Sequence, residues 1–107
     1  MQNNLKLSKP FTSLSGVEIA ELKFNFDGLK PSDYRQMLRI ESKIKGISQS
    51  NDFITTKKTV PEFRMAAGWV AAVKGTDGIC IDDIDNLNIL DLLELEDVGL
   101  LFFANLG

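Results

Sequence analysis

Thr59-Val60-Pro61-Glu62-Phe63-Arg64-Met65-Ala66-Ala67-Gly68-Trp69-Val70-Ala71-Ala72-Val73-Lys74-Gly75 is the stretch on which the fold turns. Thr59 and Glu62 have the spacing of a reciprocal capping box, and Pro61 is tolerated in a first helical turn, where its missing N–H would have no intrahelical partner. Lys74-Gly75-Thr76-Asp77-Gly78 is a stop signal, so a helix is predicted over residues 60–74. Phe63, Ala66, Ala67, Val70 and Ala71 share one face, and the alanines let another helix or a hairpin come close. Trp69 sits beside that face. One aromatic makes no cage for a ligand, so it is expected in the core.

Downstream, Ile79, Ile81, Ile84 and Leu87 punctuate an acidic stretch and predict one short helical turn. Asn88 then caps a last helix over residues 89–104, with Asp91 in its first turn. Leu92, Leu93, Leu95, Val98, Leu101 and Phe102 surround much of its circumference, so it is either deeply buried or partly reserved for a partner. Phe102 and Phe103, about 100° apart on a helix, do not both point into one core, and one of them is expected at the surface.

Upstream, residues 47–58 run through Ser, Gln, Asn, Asp and Thr and read as a long flexible loop pinned only by Phe53 and Ile54. Before it, Lys30-Pro31-Ser32-Asp33 opens a helix over residues 31–45, with proline in the first position and an acid near the positive end. Leu29 and Tyr34 are spaced as a hydrophobic staple. Tyr34, Met37, Leu38 and Ile44 take one face, Arg35, Arg39 and Lys43 another, and Gly46 stops the helix. Leu5 and Leu7 alternate with polar residues, as do Leu22, Phe24 and Phe26, which predicts a β-hairpin over about residues 5–26 turning at 13–16. Val17 and Ile19 are out of phase with Leu22, so a bulge near Ala20 is needed to turn both sets inward. A lone hairpin is marginal in water and must lie on the helices. The fold class is therefore mainly α with a small N-terminal antiparallel β-hairpin (α+β), three main helices plus a short helical turn, in a single domain over residues 1–107.

Composition narrows the function. With 44% hydrophobic and 25% charged residues the chain falls outside the disordered class, and no apolar run approaches the roughly 20 residues of a bilayer span. The N-terminus lacks the apolar segment of a secretory signal, so a cytoplasmic protein without a membrane partner is expected. The charge is divided: residues 1–74 hold all 12 Lys and Arg, and residues 75–107 hold acids and no base. A net charge of −3 argues against a nucleic-acid partner. The acidic segment either folds against the basic part of the same domain, which is the expectation, or offers a face to a basic partner.

Motifs for chemistry are missing. There is no histidine to serve as general base or metal ligand, no Cys-His cluster for zinc, and no glycine-rich phosphate loop. Asp83 and Asp85 begin like a calcium loop, but Leu87 takes the next ligand place and Asn88 stands where glycine is required. Cys80, flanked by Ile79 and Ile81, reads as a small buried hydrophobe and has no partner for a disulfide. No catalytic, cofactor-binding or metal-binding residue is assigned, and a binding protein is expected rather than an enzyme.

The order of features resembles a family. Lys9-Pro10-Phe11, the hairpin residues Gly16-Val17-Glu18-Ile19 and Glu21-Leu22, the helix start at Leu29 to Asp33, Phe63 with Ala66 and Ala67, and the last helix from Leu87 and Asp91 to Phe102 are together similar to the tail assembly chaperones of tailed bacteriophages. The resemblance covers residues 9–103 and rests mostly on apolar positions. It implies a protein of the infected cell's cytoplasm, absent from the finished virion, which binds and solubilises the long helical tape measure protein and assists tail tube assembly, with the tail tube protein as a second partner. It also implies a second, longer form made by frameshifting. Binding a helix calls for apolar surface beside small residues, which Phe63, Ala67 and Val70, or Leu93, Phe102 and Phe103, would supply. A homo-oligomer is a further arrangement that such faces allow. The alternative is a structural head-tail connector or tail completion protein, which would remain in the particle.

Overall fold

The computed structural model describes residues 4–45 and 60–104. A two-stranded antiparallel hairpin, β1 (Asn4–Thr12) and β2 (Glu18–Lys23), is followed by helices α1 (Pro31–Lys45) and α2 (Pro61–Gly75), a 3-10 helix (Ile81–Asn86) and helix α3 (Ile89–Ala104). The elements are those expected, in the expected order. Thr59, the stop at Gly46 and the loop expected over residues 47–58 lie outside the described residues; the N-cap of α2 is Val60, which makes no side-chain cap.

Helix α2 is the centre of the molecule. Phe63, Ala66, Ala67, Trp69, Ala71 and Ala72 are all wholly buried, because α1, α3 and the hairpin pack against it from different sides. Its small residues act as anticipated. At Gly68 an added Cβ would stand 2.8 Å from the Leu95 carbonyl oxygen, and at Gly99 it would collide with the Arg64 backbone, so α2 and α3 touch main chain to main chain at two points. Trp69 fills the core and its Nε1–H donates to the Ile81 carbonyl at 2.9 Å, which satisfies the one polar atom that burial would otherwise strand.

The hairpin carries its irregularity opposite Ala20. Lys6 pairs with Glu21 and Phe11 with Ile19, so residues 7–10 of β1 bulge against one residue of β2. That bulge lets Ile19 and Leu22 both point inward despite their odd spacing, and Leu7 and Phe11 join them. Two details differ from the sequence expectation. Val17 remains half-exposed, resting on Gly78, and β2 ends at Lys23 because the Asn25 N–H donates to the Ala71 carbonyl of α2 and draws the chain off the sheet. Thr76 secures the junction: its Oγ1 accepts from the Lys23 N–H and donates to the Lys23 carbonyl.

Two buried aspartates fasten the hairpin to the C-terminal half. Asp91 accepts from Ser8 N–H at 2.8 Å and Lys9 N–H at 3.3 Å, so the donors turned out by the bulge meet a carboxylate on the first turn of α3. Asp83 accepts from Leu14 N–H at 2.7 Å in the hairpin turn and from Cys80 N–H at 2.8 Å at the start of the 3-10 helix. Burial alone would push the Asp83 carboxyl up, but these hydrogen bonds outweigh it and hold the group below the usual carboxylate range. Cys80, expected inside, is exposed; its carbonyl accepts from the Asp83 N–H and its own N–H donates to the Asp83 carboxylate, which starts the 3-10 helix. No helix among the described residues is long and apolar enough to cross a membrane.

Candidate docking surface on the last helix

Helix α3 is apolar on both sides, and the two sides have different fates. One carries Leu95, Val98, Gly99 and Phe103 into the core against α2. Opposite it, Ile89, Leu90, Leu93, Leu100 and Leu101 are between 42% and 61% exposed. Five large apolar side chains on one helix face cost solvation unless something covers them, and together they exceed the scattered surface leucines of an ordinary domain. Asn88 fixes where the helix begins, accepting from Leu90 N–H on its side-chain oxygen and from Leu92 N–H on its carbonyl. At that end the face becomes concave: Leu5, Lys6 and Ser8 of β1 wall a groove of about 430 Å3 whose other side is Leu90, Asp91, Leu93 and Glu94. The Asp91 hydrogen bonds to the bulge set the distance between strand and helix.

The residues anticipated for partner binding divide into three groups. Leu93 lies on this exposed face. Phe63, Ala67 and Val70 are not on the exposed face: they are buried between the helices, where close backbone approach at Gly68 and Gly99 closes the space over the alanines. Phe102 and Phe103 are turned away from Leu93; nine residues at about 100° each put Phe102 roughly opposite it on the helix. Phe103 is buried, and of the two rings it is Phe102 that stays half-buried, stacked on Phe26 of the chain leaving β2 at 4.4 Å between ring centroids. Ile89, Leu90, Leu100 and the negative residues among them were missed by the sequence reading of the site.

The aromatic side chains assemble elsewhere. Rings of Phe24, Phe26, Phe102, Phe103, Phe63 and Tyr34 follow one another at centroid distances between 4.4 and 6.4 Å. Four of them, Tyr34, Phe63, Phe102 and Phe103, border a cleft of about 240 Å3 completed by Leu29, Pro31 and Met37, which brings the Leu29 and Tyr34 staple to the end of α3. Its lining offers apolar contact, with Lys30 as its charged member, and no arrangement of acid and base that would do chemistry.

Electrostatically, most of the C-terminal acids are occupied within the fold. Lys43 of α1 bridges Asp85 at 2.7 Å and Asp82 at 3.8 Å, and the hydrogen bond to Asp85 leads the effects that raise its pKa. Arg64 of α2 binds Glu96 at 2.7 Å. With Asp83 and Asp91 bound to backbone N–H groups, the acidic segment does fold against the rest of the domain. Glu94 and Asp97 are the exceptions on α3: both are exposed, and neither has an ion-pair partner among the described residues. Among the described residues no three His, Cys, Asp or Glu side chains are placed to share a metal ion. No family model, curated protein or solved structure matches the chain.

Proposed function

We propose that this protein is an assembly chaperone of a tailed phage or prophage, which holds an amphipathic helix of the tape measure protein on the exposed face of α3. The observation that carries the reading is the row of Ile89, Leu90, Leu93 and Leu100, each about half or more exposed on a helix whose other side is buried against α2. The choice of the tape measure protein as partner rests on the resemblance to tail assembly chaperones, not on the surface itself. A helix of 16 residues is about 24 Å long, which accommodates some four turns of a partner laid alongside it. Helix binding on an apolar face of this kind works through anchors three, four and seven residues apart, and the stripe supplies them at 89, 90, 93 and 100.

In this role the chaperone keeps a long, sticky helical protein soluble in the cytoplasm of the infected cell until tail tube subunits replace it. The work is binding, not catalysis. The test is co-expression with the tape measure protein of the same genome, followed by size-exclusion chromatography. The reading expects the tape measure protein to be soluble and to co-elute with the intact chaperone, and to be lost with Leu93→Ser/Leu100→Ser. Equal solubility with and without the chaperone contradicts it.

A further inference from the structure

Leu90, Leu93, Asp97, Leu100 and Ala104 follow one another at intervals of three and four along α3, the spacing of the seam residues of a two-helix coil. The seam is apolar except at its middle, where Asp97 stands, with Glu94 one turn away on the flank facing β1. Neither carboxylate has a cation to pair with among the described residues, although five of the other acids of this segment, Asp82, Asp83, Asp85, Asp91 and Glu96, are bound within the fold. A charge in the seam of a helix pair is costly when covered alone and tolerable when the partner brings the opposite charge.

We propose that the exposed face of α3 selects an amphipathic helix that carries a lysine or arginine at the middle of its own apolar seam, and that it excludes a second copy of this chain. The inference rests on the helix-docking reading above. Symmetry supplies the second half of the argument. A second copy laid parallel in register opposes Asp97 to Asp97, and a copy laid antiparallel, with the three- and four-residue steps interleaved, sets each Asp97 against Leu93 or Leu100. The first arrangement brings two carboxylates together and the second covers each with leucine, and no base within residues 75–107 relieves either. A partner with a cation at that point instead gains an ion pair flanked by Leu93 and Leu100, with Glu94 as a second acceptor. The acid in the seam thus discriminates between partners that the leucines alone would accept equally.

Three synthetic helical peptides test this, each of three heptads with leucine in the seam and differing only in the central seam residue: Lys, Gln or Glu. Calorimetric titration into the full chain at low salt is expected to rank them Lys, Gln, Glu, with at least roughly a tenfold gap in Kd between Lys and Glu. Glu94→Gln/Asp97→Asn should abolish that ranking while leaving the Gln peptide bound, since both positions are exposed and the fold does not use them. Equal binding of the three peptides overturns charge selection and leaves helix docking standing. A ranking that persists in the double variant overturns it too. Failure of all three to bind overturns helix docking itself. Light scattering of the protein alone completes the test: a dimer that Leu93→Ser dissolves would show that a second copy takes the seam, against the proposal.

Discussion

Replacing Asp83 by alanine removes a buried carboxylate that ties two distant parts of the chain, and its cost follows from what is left behind. Asp83 is 1% exposed and accepts the Leu14 and Cys80 N–H groups at 2.7 and 2.8 Å. Hydrogen bonds to a charged acceptor contribute about 1.5–3 kcal/mol each; Leu14 lies in an exposed turn where water recovers part of its bond, so the sum is discounted to about 2–4 kcal/mol. For a domain of this size that is a Tm lower by roughly 10–25 °C. Asp83→Asn should lose less at pH 7, since one oxygen remains to accept, but it should alter the pH profile. The folded carboxyl lies below its ordinary value, so its contribution to stability is present above that value and is lost as pH falls through the folded one. Urea titrations of the intact protein and Asp83→Asn between pH 7 and pH 3 therefore converge toward acid. Equal stabilities of Asp83→Ala and the intact protein at pH 7, or a gap that does not narrow toward acid, would refute the reasoning.

Other substitutions probe the rest of the framework. Gly99→Ala puts a methyl into the Arg64 backbone and should destabilise the fold by about 1–3 kcal/mol, read as a lower urea midpoint. Trp69→Phe removes the donor to the Ile81 carbonyl and leaves space behind the smaller ring, and a loss of about 1–3 kcal/mol is expected by the same titration. Leu93→Ser/Leu100→Ser changes exposed positions only and should shift stability by no more than about 1 kcal/mol while abolishing partner binding, which separates the docking face from the core.

The elements were legible in the sequence because each has a local cause. Pro31 and Pro61 in first turns, Asn88 as a cap and Gly75 near a helix end act on neighbouring residues, and the structure follows them closely. Even the bulge was readable, since Ile19 and Leu22 both need the core and an unbroken strand would not allow it. What the sequence did not disclose depends on partners far away along the chain. Asp83 and Asp91 look like ordinary acids near helix starts, and nothing near them announces that Leu14, Ser8 and Lys9, 69 to 83 residues distant, donate hydrogen bonds to them. Likewise Phe63, Ala67 and Val70 are as apolar as a docking face should be, and only the approach of α3 at Gly68 and Gly99 decides that they are core. For α3 the difficulty is symmetry: a helix apolar all round does not say which side is buried. The heptad that includes Asp97 was present in the sequence, but it becomes informative only once Leu95 and Val98 are known to face α2.

The account turns on whether that uncovered side of α3 is where a helical partner sits. A photo-crosslinking residue placed at Leu93, and as a control at the still more exposed Leu14 on the hairpin turn, can be irradiated in cells co-expressing the tape measure protein of the same genome. The account predicts a covalent product with the tape measure protein from position 93 and none from position 14. No product at 93, or equal products at both positions, would contradict it.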